Sequence, residues 1–326
     1  MRMAALLTLA LSSLTLPAAE SSSLKLLQTI PLPGAKGRFD HFSLDSTGNR
    51  LFVAALGNNT VEVIDLAAGK RLHSIAGLSR PQGVLFLADR NELLVANGEN
   101  GTLKVLDATT FKMKFSLPDM PDADNVRLDP HSGAAWVGYG DGALAAFMPD
   151  SQKPAATIKL PGHPESFQLE KQGSRLFVNV PDFKEIAVVS AAKHTIIGHW
   201  PIKEFQANFP LALDESNHRL FVGCRKPSRL LILDTDTGKP VADLAISGDT
   251  DDLFYDTKRK RLYLSCGEGF IDVVAQSSPD KYEGIAKLPT AAGARTSFFS
   301  PDRDRLYLAV PDRGNQKPEI RVYQPQ

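Results

Sequence analysis

One short apolar pattern recurs seven times along the chain, and that recurrence constrains the fold more than any other feature. The copies read Arg50-Leu-Phe-Val53, Glu92-Leu-Leu-Val95, Ala134-Ala-Trp-Val137, Arg175-Leu-Phe-Val178, Arg219-Leu-Phe-Val222, Arg261-Leu-Tyr-Leu264 and Arg305-Leu-Tyr-Leu308. Counted from Leu51, successive copies start 42, 42, 41, 44, 42 and 44 residues later. A period near ~42 residues is that of a four-stranded propeller blade. Within each copy, short β-rich runs alternate with turn residues and show no helical periodicity. An apolar run such as Asp40–Leu44 precedes the repeated strand. A Gly/Asn turn follows it, as in Gly57-Asn-Asn59 or Gly98-Glu-Asn-Gly101. A third strand then ends in Asp65, Asp107 or Asp234, a residue able to close a turn on its own backbone. Gly69-Lys70 or Gly238-Lys239 leads into a fourth strand. The expectation is an all-β, seven-bladed β-propeller with four antiparallel strands per blade.

The last copy ends at its third strand, Glu319–Tyr323, and has no fourth. The first strand-like segment, Lys25–Pro31, resembles the fourth strand of the other copies. It is expected to pair with Glu319–Tyr323 and close the ring, which removes the exposed edges of an open repeat array.

Segments such as Pro81-Gln-Gly-Val84, Leu94-Val-Ala-Asn97 and Thr60-Val-Glu-Val-Ile-Asp65 look like the YVTN repeat. The whole chain after its N-terminal segment is similar to the YncE-like family of exported seven-bladed propellers. That resemblance implies a fold and says little about activity. Blades 3 and 4 depart most from the pattern, since Ala143–Met148 lacks the terminal Asp and Val180-Pro-Asp-Phe183 replaces the Gly/Asn turn.

The N-terminus reads as a secretory signal. Arg2 is followed by the apolar run Ala4–Leu16, the small residues Ala18 and Ala19, and then Glu20. The run is shorter than the ~20 residues a bilayer span needs. The expected organisation is a signal peptide over 1–19 and a single propeller domain over 20–326, working outside the cytoplasm as a periplasmic or secreted protein, with no membrane span after signal removal. Basic and acidic residues balance at 37 each, which argues against nucleic acid as a partner. The partner expected instead is a small molecule or another protein.

In a propeller the first strand of each blade lines a central channel. Aligning the copies places Asp40, Gln82, Asp124, Glu165, Phe209, Asp251 and Arg295 at the start of those strands. The next position holds His41, Gly83, Asn125, Ser166, Pro210, Asp252 and Thr296. Five carboxylates thus converge on one axis. Two unit charges ~8 Å apart at an effective dielectric of ~20 repel by about 2 kcal/mol. Water, protonation, Arg295 or a bound cation must offset this. A hard divalent cation such as calcium would take Asp40, Asp124, Glu165 and Asp251 as ligands. The expected ligand-contacting set is Asp40, His41, Gln82, Asp124, Asn125, Glu165, Asp251, Asp252 and Arg295. Three readings stay open: a solvated acidic mouth, a small-ligand site, and a metal site. His163 and the loop bases Arg225, Lys226 and Arg313 are weaker candidates, and His131 and His218 fall at the opposite end. No Gly-x-Ser-x-Gly, Cys-x-x-Cys-His, His-Glu-x-x-His or P-loop occurs. The leading expectation is a binding or scaffold propeller, and the alternative is a metal-dependent hydrolase or lactonase using the same mouth.

Cys224 and Cys266 occupy equivalent positions of two neighbouring copies. Equivalent positions project in the same rotational sense, so the thiols are expected to be free and buried rather than bridged.

Overall fold

The structure, a computed structural model, describes residues 23–45 and 49–326. The expected signal peptide and Ser46, Thr47 and Gly48 of the first turn lie outside the described residues. Seven four-stranded antiparallel sheets follow one another around an axis. Each blade runs outward in chain order, as in Phe42–Asp45, Arg50–Ala55, Thr60–Asp65 and Lys70–Ile75 of blade 1. The exception is the blade that closes the ring. There Leu24–Pro31 is the outer strand and pairs antiparallel with Glu319–Pro325, with Ile30 opposite Ile320. Leu24 and Ile30 are buried by this pairing.

The repeated strand is the second of each blade, and its third position explains the packing. Phe52, Trp136, Phe177, Phe221, Tyr263 and Tyr307 occupy it in six blades and are all buried. Alternation on a strand sends this ring into one inter-blade seam and its neighbours into the other. Phe221, for example, meets the rings of Tyr255 and Tyr282 in the next blade, at 5.3 and 5.7 Å between centroids. An aromatic side chain buries roughly 200 Å², worth about 5 kcal/mol at 25 cal/mol per Å². The seams are therefore the hydrophobic core.

Turn chemistry fixes the register. The amides of Ala67 and Ala68 donate to Asp65 Oδ1, those of Thr109 and Thr110 to Asp107 Oδ1, and those of Asp236 and Thr237 to Asp234 Oδ1. The third-strand aspartates thus close turns as their sequence position suggests. Cys224 packs in the seam between blades 4 and 5 and Cys266 in the seam between blades 5 and 6. Both are free and buried, in the same rotational sense. Burial pushes the Cys224 thiol up to about 12 and Cys266 higher still, where a charged neighbour, Asp272, adds to the effect.

Candidate functional site

The first strands of adjacent blades contact one another around the axis, so their leading residues form a ring. Asp40, Gln82, Asp124, Glu165, Phe209, Asp251 and Arg295 all line one cavity of about 210 Å³. His41, Asn125, Ser166 and His163 line it too. Close approach of the blades requires a missing side chain at one point. A Cβ on Gly83 would stand 2.1 Å from the Asp124 carbonyl oxygen.

His41 forms the floor of this cup. It springs from blade 1, yet its Nε2 lies 3.7 Å from Asp40 Oδ1 and 3.5 Å from Asp124 Oδ1 of blade 3. Its Nδ1 lies 3.9 Å from Asp252 Oδ1 of blade 6. The imidazole thus bridges carboxylates of three blades across the axis. Burial alone would lower its pKa. The contact with Asp124 and the charges of Asp40 and Asp252 outweigh burial and raise it to about 10. His41 is a cation at neutral pH.

The carboxylates respond in turn. Burial disfavours the charge on Asp124, but His41 more than compensates and holds its pKa below the usual range. Asp40 is pushed up, chiefly by burial, against the pull of His41 and Arg38. Glu165 is pushed up to about 9 by burial and then by repulsion from Asp124, Asp251 and Asp40. It is a neutral acid at pH 7 and a hydrogen-bond donor to whatever enters the cup. Asp252 is pushed up to about 7, by burial first, while His41 and the Ser297 amide at 2.7 Å oppose the rise. Unlike the other rim residues, Asp252 sits on the far side of His41 and does not line the cup.

The rim is not as acidic as the repeat alignment suggests. Four guanidiniums line it: Arg38, Arg80, Arg225 and Arg295. Arg38 donates to Asp40 at 2.9 Å. Arg225 stacks over the Phe209 ring at 3.8 Å, donates to the Thr250 carbonyl at 2.8 Å, and pairs with Asp251. Arg295 bridges Asp249 at 2.8 Å and Asp251 at 2.9 Å. Arg80 is exposed; its amide donates to Asn59 Oδ1 at 2.8 Å, and its guanidinium has no partner among the described residues. It also carries a positive φ of 47°, a position shared by Asp122 at 46° and Asp249 at 59°, two residues before the rim in blades 3 and 6. Backbone of this kind costs about 1 kcal/mol for a residue with a Cβ.

Of the weaker candidates, His163 joins the cup, its Nδ1 2.7 Å from the Gly140 carbonyl oxygen. Arg225 joins it as well, whereas Lys226 and Arg313 do not line it. Sequence reasoning missed Arg38 and Arg80, which lie in turns before the aligned strands. The positional signal was present, since both fall two residues before a rim position.

Among the described residues, Asp40, His41 and Asp124 are the group that brings three metal-capable side chains together, with ligand atoms within 4.8 Å of one another. Of the four carboxylates expected to hold a cation, Asp251 is already bridged by two guanidiniums, and burial beside other acids favours the protonated form of Glu165 while no cation is bound.

The class defined by these features is a seven-bladed β-propeller with a polar, charge-compensated axial cup. No family model matches the chain, and no curated protein matches it. Solved structures do. A chain of the mitotic checkpoint complex superposes with a TM-score of 0.79 at 16% identity, covering 99% of this chain and 98% of that one. A chain of Kuenenia stuttgartiensis hydrazine synthase gives 0.74 at 17% identity, covering 90% and 96%. At such identities the likeness establishes the ring of blades alone.

Proposed function

We propose that this chain is a non-catalytic binding protein that takes a small, polar, negatively charged molecule in its axial cup, outside the cytoplasm. One observation carries the reading. Arg80, with no side-chain partner among the described residues, and Glu165, neutral and able to donate, face the same cavity. The surrounding guanidiniums are held in place by Asp40, Asp249 and Asp251. A carboxylate-bearing molecule can take a charge-assisted bond from Arg80 and a second from Glu165. The cavity, at about 210 Å³, suits a compact molecule rather than a drug-sized one.

The charge state of His41 speaks against catalysis. A general base works best with a pKa near the operating pH, and this imidazole holds its proton to about 10. Export rests on Arg2, the apolar run Ala4–Leu16 and the small residues Ala18 and Ala19. The similarity to the YncE-like exported propellers points the same way. No helix among the described residues is long and apolar enough to cross a membrane.

The metal-dependent hydrolase or lactonase is the second reading, favoured by the closeness of Asp40, His41 and Asp124. It requires His41 to lose its proton, since a ligating imidazole must be neutral. A thermal-shift screen of small hydroxy acids against calcium chloride separates the two readings. Stabilisation by an acid supports binding of an anion, and stabilisation by calcium alone supports the metal reading.

A further inference from the structure

A second cavity lies at the other end of the propeller, in the seam between blades 3 and 4, and its origin is a single departure from the repeat. The residue that opens the repeated strand is Arg in five blades and Glu in one. In blades 1, 4 and 6 that Arg crosses the seam. Arg50 donates to the Ala108 carbonyl, Arg175 to that of Thr235 and Arg261 to that of Gln326. Arg219 crosses likewise to Pro279 and Asp280. In blade 2 the crossing is made by Arg90, which pairs with Asp150. In blade 3 the position is Ala134, and the carbonyl it would have reached, the one just past the third strand as in Ala108 and Thr235, belongs to Ala191. Ala134 and Ala191 both line a cavity of about 700 Å³.

The lining combines an apolar floor, with Ala146, Ala155, Leu169 and Met148 around the Trp136 indole, and a polar margin that includes Asp129, Glu170 and Arg175. Trp136 is 1% exposed, and its Nε1 has no acceptor among the described residues. A buried donor left unpaired costs about 1–3 kcal/mol. The acids at the cavity are already committed. Asp129 accepts from the His131 amide at 2.9 Å and the Ser132 hydroxyl at 2.6 Å, and Glu170 accepts from Arg175 at 2.9 Å. Among the described residues, the lining groups without a hydrogen-bond partner include the buried Trp136 Nε1 and the imidazoles of His131 and His194, the latter tilted against the indole at 6.0 Å. The volume falls within the roughly 300–1,000 Å³ of small-molecule sites.

We propose that this seam is a binding site for a flat, apolar-bodied organic acid. Its body fills the space the missing arginine leaves, and its acidic group accepts from Trp136 Nε1. The site is separate from the axial cup and stands whatever the cup binds. The probes are anilinonaphthalene sulfonate and its sulfonate-free parent phenylnaphthylamine, titrated into the full chain and followed by fluorescence. Wild type is expected to bind the sulfonate saturably at one site. Ala134→Arg restores the repeat's bridge to Ala191 and is expected to weaken both probes at least about tenfold. Trp136→Phe keeps the ring and removes the donor, and is expected to weaken the sulfonate about tenfold while leaving phenylnaphthylamine nearly unchanged. Ala155→Phe fills the cavity from its exposed side and decides the matter if Ala134→Arg does not fold. Absence of saturable sulfonate binding in wild type, or equal binding in the filled variants, overturns the site. An equal effect of Trp136→Phe on both probes overturns the acid.

Discussion

Replacing His41 by Gln removes a cation that three blades share and leaves Asp40, Asp124 and Asp252 facing one another. The folded pKa of His41 is raised, from 6.5 to about 10. A raised folded pKa means stability that is fully present below the unfolded value and is lost as pH climbs through the folded value. At 1.36 kcal/mol per pH unit, the imidazolium contributes on the order of 5 kcal/mol below pH 6.5, about 4 kcal/mol at pH 7, and nothing above about pH 10. The variant loses less than this, because the freed carboxylates take up protons in its place, and a loss of roughly 2–4 kcal/mol at pH 7 is expected. Urea unfolding of both proteins at several pH values from 6 to 10, followed by tryptophan fluorescence, measures the gap. It should be widest at pH 6 and close toward pH 10. Glu165, raised from 4.5 to about 9, adds a fall in stability over that window in both proteins, so the wild-type curve declines throughout. A gap independent of pH would mean that His41 acts by packing alone and not by its charge.

Three further outcomes follow from the fold. Deleting Leu24–Pro31 strips the partner from Glu319–Pro325 and should convert a monodisperse protein into an aggregating one by light scattering; an unchanged elution profile would mean the ring does not need its closing strand. Phe221→Ala should cost about 3–5 kcal/mol in urea unfolding, and a loss below about 1 kcal/mol would show that the seam is not tightly packed around Phe221. Native protein at pH 8 should leave an aromatic disulfide reagent unreacted, while unreduced protein in urea should show two thiols per chain, matching Cys224 and Cys266; zero would reveal a bridge.

The repeat made the ring legible because every copy keeps the same order of strand and turn, so one alignment placed all seven rim residues. It also paired the termini, since a missing fourth strand at one end and a spare one at the other leave a single solution. An alignment locates a Cα and not the reach of a side chain. His41 reads as one of seven equivalent second positions, yet its ring crosses to Asp124 and Asp252. Arg38 and Arg80 sit in turns that vary between copies, so the rim read as acidic when it is compensated. The seam cavity had its signal in the sequence, as Ala134 stands where the other copies carry Arg or Glu. Its meaning emerged only when Arg50, Arg175 and Arg261 were seen crossing their seams.

Whether the axial cup receives a small anion is read by calorimetric titration of small hydroxy acids into wild type and Arg80→Ala at pH 7. Arg80 is exposed and braces nothing among the described residues, so its loss leaves the ring intact. Saturable binding of at least one acid by wild type is expected, weakened about tenfold or more in Arg80→Ala, with no comparable heat from calcium chloride. Binding of calcium with none of the acids, or acid binding indifferent to Arg80, would mean that the cup is not an anion site.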